Sequence, residues 1–358
     1  MSNYEIYDDI VAFHPGSYIE EIIDDLNITQ EEFAERLGVS PKTISKLINA
    51  EVPVSTETAN KLSKLTGISM STWLQMQNSY DIKKTQIEEK RKSDEYEICS
   101  KIDFSYFKLH KFIPNKQYKA HEKIEELRKL LQIADLTFLK NYNSNVSYRN
   151  TRGFSDISII NSNVVLELAI NFAKHKANKK LDKTKLKNLL PELRKMTTQK
   201  GEEFFPILQE MLIECGVILV ALPSLRNASL NGATKKFKNG SVLLLITDKN
   251  KKSDIFWFSI FHEIGHIING DFYSDYEDDE TYQAMEKKAD LFAQDILIPN
   301  EDYKKFIETN NFTKSHIISF GEEIGIDPSI VLGRLQKEKY VNYSQFSDLK
   351  TSYKFVTD

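Results

Sequence analysis

His262, Glu263 and His266, in the stretch FWFSIFHEIGHIINGD from Phe256 to Asp271, are the residues whose types and spacing point most directly to chemistry. On a helix, residues four apart stand one turn apart on one face, so both imidazoles can meet one ion. Glu263 borders that face and can reach a water held there. The flanking Trp257, Ile260, Phe261, Ile264, Ile267 and Ile268 would bury the rest of the helix. Chance produces such a five-residue match in roughly one chain of this composition per hundred, so a second signal is needed. Catalytic zinc usually takes three protein ligands and leaves one position to water. The next helical pattern carries EKKAD, where Glu286 and Asp290 are again four apart and share a face. One carboxylate can ligate the ion while the other accepts the N–H of a ligand imidazole and fixes its tautomer. Gly265 costs a helix about 1 kcal/mol, which predicts that another backbone segment or a substrate comes close there. Two other readings stay open: a buried helix whose histidines are simply hydrogen-bonded, and a site that holds metal but cuts nothing.

The elements that must position these residues are legible from periodicity. Helical patterns run through VVLELAINFAKHKAN, LKNLLPELRKM and EEFFPILQEMLIECG. Two strand-like runs follow, VILVALP and SVLLLITD, joined by SLNGATKKFKNG. SVLLLITD, directly before the motif helix, is expected to be the sheet edge that receives an extended substrate. Tyr273, Tyr276 and Tyr282 are near enough in sequence to stabilise an oxyanion.

These motifs resemble the ImmA/IrrE family of HExxH metallopeptidases, themselves similar to thermolysin-type gluzincins. The likeness is carried by FWFSIFHEIGHIINGD, by EKKADLFAQDILIP and by the preceding SLNGATKKFKNGSVLLLITD. It implies that His262, His266 and Glu286 are metal ligands and Glu263 is the general base. Asp290 would orient a ligand histidine, His262. The implied ion is Zn2+, with Mn2+ or another divalent ion also compatible with a His/His/Glu set.

The other end of the chain reads differently. In ITQEEFAERLGVSPKTISKLINAE, Thr29 caps a helix from about Gln30 with Glu32 at the capping-box position. Gly38 breaks it, and Ser40 with Pro41 starts the next helix. Phe33, Leu37, Val39, Ile44 and Leu47 are spaced to fill one small core. From His14-Pro15-Gly16 to Trp73-Leu74-Gln75 the segment resembles the repressor-type helix-turn-helix of HigA-like antitoxins. That resemblance implies a second helix lying in the major groove of an operator, with Lys42, Thr43, Ser45 and Lys46 facing bases and Gln30 near a phosphate or base edge. The segment is rich in acid (Glu20, Glu21, Asp24, Asp25, Glu31, Glu32, Glu35), so a monomer should bind DNA poorly. A homodimer presenting two recognition helices answers this, while a helical protein-binding domain without DNA contact is the competing reading. Near the C-terminus, FGEEIGIDPSIVLGRLQ repeats the spacing of FAERLGVSPKTISKLI, with Glu323 and Asp327 where a reader would want donors. It is expected to be a packing or partner-binding pair.

The 358 residues, 41% hydrophobic and 28% charged, suit a multidomain globular chain. The net charge of −4 excludes a broadly polyanion-binding surface. Cys99 and Cys215 are far apart, which excludes a disulfide framework and a cysteine zinc site. The acidic N-terminus shows no secretion signal and the longest apolar runs are strand-sized, so a cytoplasmic protein without membrane contact is expected. The expected organisation is an all-α helix-turn-helix domain at 1–81, a charged helical linker at 82–150, an α+β zincin-like (gluzincin-like) metallopeptidase domain with a small sheet at 151–300, and a helical tail at 301–358. Two function classes fit. One is a DNA-binding regulator fused to a zinc endopeptidase that cleaves a regulatory protein, such as a repressor, a toxin or the chain itself. The other is a HigA-like antitoxin or repressor whose metal domain only senses or supports.

Overall fold

The computed structural model describes residues 4–140, 155–176, 178–250, 252–272 and 279–355, with backbone alone at 279 and 282. The chain divides into two compact units, 1–95 and 96–358.

The N-terminal unit opens with a hairpin the sequence did not announce. Its strands β1 (Tyr4–Tyr7) and β2 (Ile10–Phe13) pair antiparallel, Tyr4 opposite Phe13. Four short helices follow: α1 (Gly16–Leu26), α2 (Gln30–Leu37), α3 (Pro41–Ile48) and α4 (Thr56–Thr66). They close over Ile19, Phe33, Ala34, Ile44, Leu62 and Trp73, all fully buried. Each cap does what its residue type dictates. Thr29 accepts the Glu32 N–H, Ser40 the Thr43 N–H and Ser55 the Thr58 N–H. Gly16 is required rather than tolerated, because a Cβ there would lie 2.0 Å from the Leu47 carbonyl oxygen of α3. The charged segment forms part of a 32-residue helix, α5 (Met70–Lys101). The hairpin is held to α5 by Arg91–Glu5 and Lys90–Asp8 ion pairs, both 2.8 Å, and by Tyr7 donating to Asp94.

In the C-terminal unit come α6 (Ser105–Leu109), α7 (Ala120–Leu131), α8 (Asp156–Lys174), α9 (Lys183–Lys195) and α10 (Gly201–Glu214). Then follow the strands β3 (Val217–Leu222), β4 (Gly232–Lys236) and β5 (Val242–Thr247). The unit ends with α11 (Ser253–Asn269), α12 (Asp279–Leu297), α13 (Asn300–Glu308), α14 (Lys314–Ile324) and α15 (Pro328–Lys337). The sheet order is β3-β5-β4, with β5 parallel to β3 and antiparallel to β4. This corrects the expectation for SVLLLITD: β5 is the central strand and β4, inside the supposed connection, is an edge. The unbroken apolar run is the reason, since a strand covered on both faces has no polar side to alternate with.

The sheet separates two cores. Leu219, Leu244 and Ile246 face α10, α11 and the last helices, whereas Val220, Leu243 and Leu245 face α7 and α8. The linker expected at 82–150 therefore does not stand apart. Ile98, Phe107, Leu127 and Leu139 share a core with α8 and the strands. The tail expected from 301 is likewise built into the metal-helix core through Ile317, Phe320, Val331 and Leu335. The two units meet at 95/96, inside α5, and not at 81/82, 150/151 or 300/301. Amphipathic helices and charged faces look alike whether they are spacers or one wall of a shared core, so sequence pattern could not place these borders. Among the described residues no helix is long and apolar enough to cross a membrane.

Candidate metal centre and nucleic-acid interface

α11 is a buried helix with two imidazoles. Trp257, Ile260, Phe261 and Ile264 are fully buried, and so is His266. A Cβ on Gly265 would lie 3.0 Å from the Phe292 ring and 3.4 Å from the Ala289 Cα, so the glycine admits the backbone of α12. Ala289 and Ala293, both fully buried, make the matching surface on that helix. Close helix packing is what carries Glu286 and Asp290 to the histidines.

The donor atoms of His262, His266 and Glu286 all lie within 4.8 Å of one another. The two Nε2 atoms are 3.1 Å apart, and the Glu286 oxygens stand 3.5 Å from His262 Nε2 and 3.2 Å from His266 Nε2. Asp290 Oδ1 is 2.9 Å from His262 Nδ1. Once Nδ1–H is donated to Asp290, Nε2 is the nitrogen left to face an ion. Two imidazoles and one carboxylate, converging with a fourth side open to a small pocket, are a donor set that fits zinc or a similar divalent ion. That pocket is lined by Ser229, Asn231, Gly232, Phe258 and Ser259 together with Glu263.

Burial alone would lower the His262 pKa. The hydrogen bonds to Asp290 and Glu286 and the nearby Glu263 charge override this and push it up to about 9. Glu263 is 5% exposed and lies beneath the edge strand, where a Cβ on Gly232 would come 2.7 Å from its Oε1. Sequence reasoning missed Gly232. The Asn231-Gly232 pair was visible, but nothing local says that its glycine lies over the carboxylate. Lys337 of α15 was missed too; its ammonium is 3.4 Å from Asp290 Oδ2 and 4.9 Å from the centre of the Phe258 ring. Tyr273, Tyr276 and the Tyr282 side chain lie outside the described residues.

In the N-terminal unit, α3 carries two lysines and no acid, while the seven acidic residues named above all lie exposed on α1 and α2. Gln30, Lys42 and Ser45 are exposed, and Thr43 and Lys46 are half-buried. The Thr43 hydroxyl is 2.8 Å from the Ser40 hydroxyl, so it takes part in the helix cap. α3 thus exposes Lys42 and Ser45 on a helix that carries no acidic residue.

Comparison with known proteins finds matches in the same two regions. The helix-turn-helix family matches residues 19–73, and the IrrE N-terminal-like domain of the M78 peptidases matches residues 229–319. YddM of Escherichia coli (strain K12), described as an uncharacterized HTH-type transcriptional regulator, is 37% identical over 68 residues, 19% of this chain and 72% of its own length. The virulence-associated protein I of Dichelobacter nodosus is 32% identical over 73 residues, 20% of this chain and 68% of that one. A crystal structure of an antidote protein of a plasmid maintenance system from Nostoc punctiforme shares 35% identity, covering 23% of this chain and 91% of its own, with a TM-score of 0.23. The chain belongs to the helix-turn-helix family of transcriptional regulators and carries, C-terminal to that domain, a metallopeptidase-family domain of the IrrE type.

Proposed function

We propose that this chain is a DNA-binding regulator with a working zinc-dependent endopeptidase, which cleaves a regulatory protein such as a repressor, a toxin or a second copy of itself. One observation carries the reading: a complete three-donor cluster with a buried carboxylate beside it, reached only when α12 packs on α11. His262, His266 and Glu286 would hold the ion, and Asp290 would keep His262 in the ligating tautomer. A bound Zn2+ supplies an acidified water and polarises a peptide carbonyl. Glu263 accepts the proton of the attacking water and delivers it to the leaving amine. Gly232 lets β4 lie directly against Glu263, so an extended peptide added to this edge would bring its carbonyl near the base. A scaffold that only senses metal has no use for Glu263 in that place.

On the DNA side, Lys42, Ser45 and Lys46 would face base edges, Thr43 would hold the helix start, and Gln30 would meet the backbone. A homodimer would place two α3 helices on an operator and offset the acidity of α1 and α2.

The test is metal content and turnover measured together. Wild type should bind about one zinc per chain, and Glu286→Ala should lose most of it. Glu263→Gln should keep the metal and abolish cleavage of protein substrates recovered by comparing cell proteomes with and without the active chain. Zinc absent from the wild type after supply, or cleavage retained by Glu263→Gln, would remove the assignment.

A further inference from the structure

A cavity of about 540 Å3 adjoins the metal pocket and shares Asn231, Phe258 and Ser259 with it. Its size falls within the range of about 300–1,000 Å3 typical of sites that enclose a small molecule or short peptide segment. The far walls come from the end of α12, from α15 and from the segment after α15, none of which the metal chemistry requires. Ile255, Phe258, Leu297, Ile298 and Ile330 make the walls mainly apolar. The charges around them are unbalanced: Lys252, Arg334, Lys337 and Lys350 against Asp254 and Glu338.

Those charges are not equally committed. Lys350 is locked to Asp254 at 2.6 Å, with both side chains about nine-tenths buried. Arg334 pairs with Glu338 at 3.0 Å. The two acids are therefore neutralised by two of the four cations. Lys252 reaches the Ser352 hydroxyl at 3.2 Å and forms no ion pair among the described residues, while Lys337 is paired with Asp290 at 3.4 Å. The cavity thus offers apolar walls with one uncommitted lysine ammonium, that of Lys252, and it shares Asn231, Phe258 and Ser259 with the pocket where a scissile bond would lie.

We infer that this cavity is the subsite that holds the substrate segment flanking the scissile bond, and that it selects a peptide whose side chains are apolar and followed by an acidic residue. The inference rests on the peptidase reading and adds the substrate class. An apolar segment fills the walls without leaving polar groups unpaired, and a carboxylate near Lys252 meets its charge. A basic residue in the same place would set a like charge against Lys252.

The full-length Glu263→Gln chain, loaded with zinc, permits binding to be measured without turnover. N-acetyl-Leu-Phe-Glu-amide and N-acetyl-Leu-Phe-Lys-amide serve as probes in calorimetric titration. The acidic peptide should bind about tenfold tighter than the basic one, and Lys252→Glu should abolish or reverse that preference. Ser347→Trp, placed on the exposed side of the wall, should fill the cavity and weaken the acidic peptide at least about tenfold, with zinc content unchanged. Equal binding of the two peptides, no binding of either, or indifference to both substitutions would overturn the subsite. Discrimination by the cavity together with no cleavage of the acidic peptide or any protein by the zinc-loaded wild type would instead sink the hydrolytic reading and keep the peptide site.

Discussion

Two helix pairs in this chain, α2–α3 and α14–α15, are built on one spacing and set in different surroundings. Phe33, Gly38, Pro41 and Ile44 recur as Phe320, Gly325, Pro328 and Val331. The backbone agrees as closely as the spacing. Gly38 turns at φ 68°, ψ 44° and Gly325 at φ 69°, ψ 44°, and each next residue returns a hydrogen bond into the preceding helix. Surroundings then separate them. Lys42, Thr43, Ser45 and Lys46 of α3 correspond to Ser329, Ile330, Leu332 and Gly333 of α15. Ser329, Ile330 and Leu332 are buried, with the Ser329 hydroxyl 2.9 Å from that of Ser253 on α11. At Gly333 a Cβ would stand 2.5 Å from Asp254. The lesson is that capping chemistry and a glycine turn specify a helix pair, whereas the outward face of the second helix specifies what it can touch.

The comparison breaks most sharply at the residue that differs most between the pairs. Leu332→Ser should cost about 3–5 kcal/mol of C-terminal unit stability, because it leaves a cavity and buries a hydroxyl. Ser45→Leu, the reverse change on α3, should alter stability by no more than about 0.5 kcal/mol while impairing DNA binding. Denaturant titration of both variants decides it; a small loss for Leu332→Ser would mean that α15 is not part of the core. Next in size is joint replacement of Lys42 and Lys46 by Ala, which should weaken specific binding by about 1–3 kcal/mol for each base that is no longer read. The measurement uses a DNA sequence enriched by the full chain from a random pool. Unchanged affinity would move recognition off α3.

The smallest effect concerns His14, a residue with no counterpart at α14. It is 1% exposed and its Nδ1 accepts the Gly16 N–H at 3.0 Å. Burial lowers its pKa, an effect larger than the opposing pull of Asp81. Above the ordinary histidine value of 6.5 both folded and unfolded chains are neutral here, and His14 adds no pH dependence. As the pH falls through that value, the unfolded chain takes up a proton that the fold resists, so stability declines until the lowered folded pKa is passed. Urea titrations at pH 8 and pH 5, read through Trp73 in a Trp257→Phe background, should show this loss, and His14→Asn should flatten it. Equal pH dependence in the two proteins would place the titration elsewhere.

Much of the fold was legible because its signals are local. Helix caps, glycine turns and 3.6-residue periods depend on neighbours within a few positions, and Thr29, Ser40, Gly38 and Gly325 behave accordingly. The hairpin at Tyr4–Phe13 was missed because its four-residue strands alternate too weakly and are secured by Arg91 and Lys90, far along the chain. β5 was read as an edge because a short apolar run has no direction in which to display its neighbours; only the pairing with both β3 and β4 makes it central. For the same reason Gly232 and Lys337 were beyond sequence reasoning. One approaches Glu263 through sheet packing and the other reaches Asp290 from a helix 47 residues on.

By itself the sequence determined which residue types could do chemistry and that they share helix faces: His262 with His266, Glu286 with Asp290, and Lys42 with Lys46. A helical repeat of fixed length makes that so before any tertiary contact forms. Tertiary structure decided that the first two faces meet, because Gly265 and the alanines of α12 let two backbones close in. It also decided that α15 lies inward while α3 lies outward. Burial depends on what covers a face, and that cover comes from residues distant in the chain.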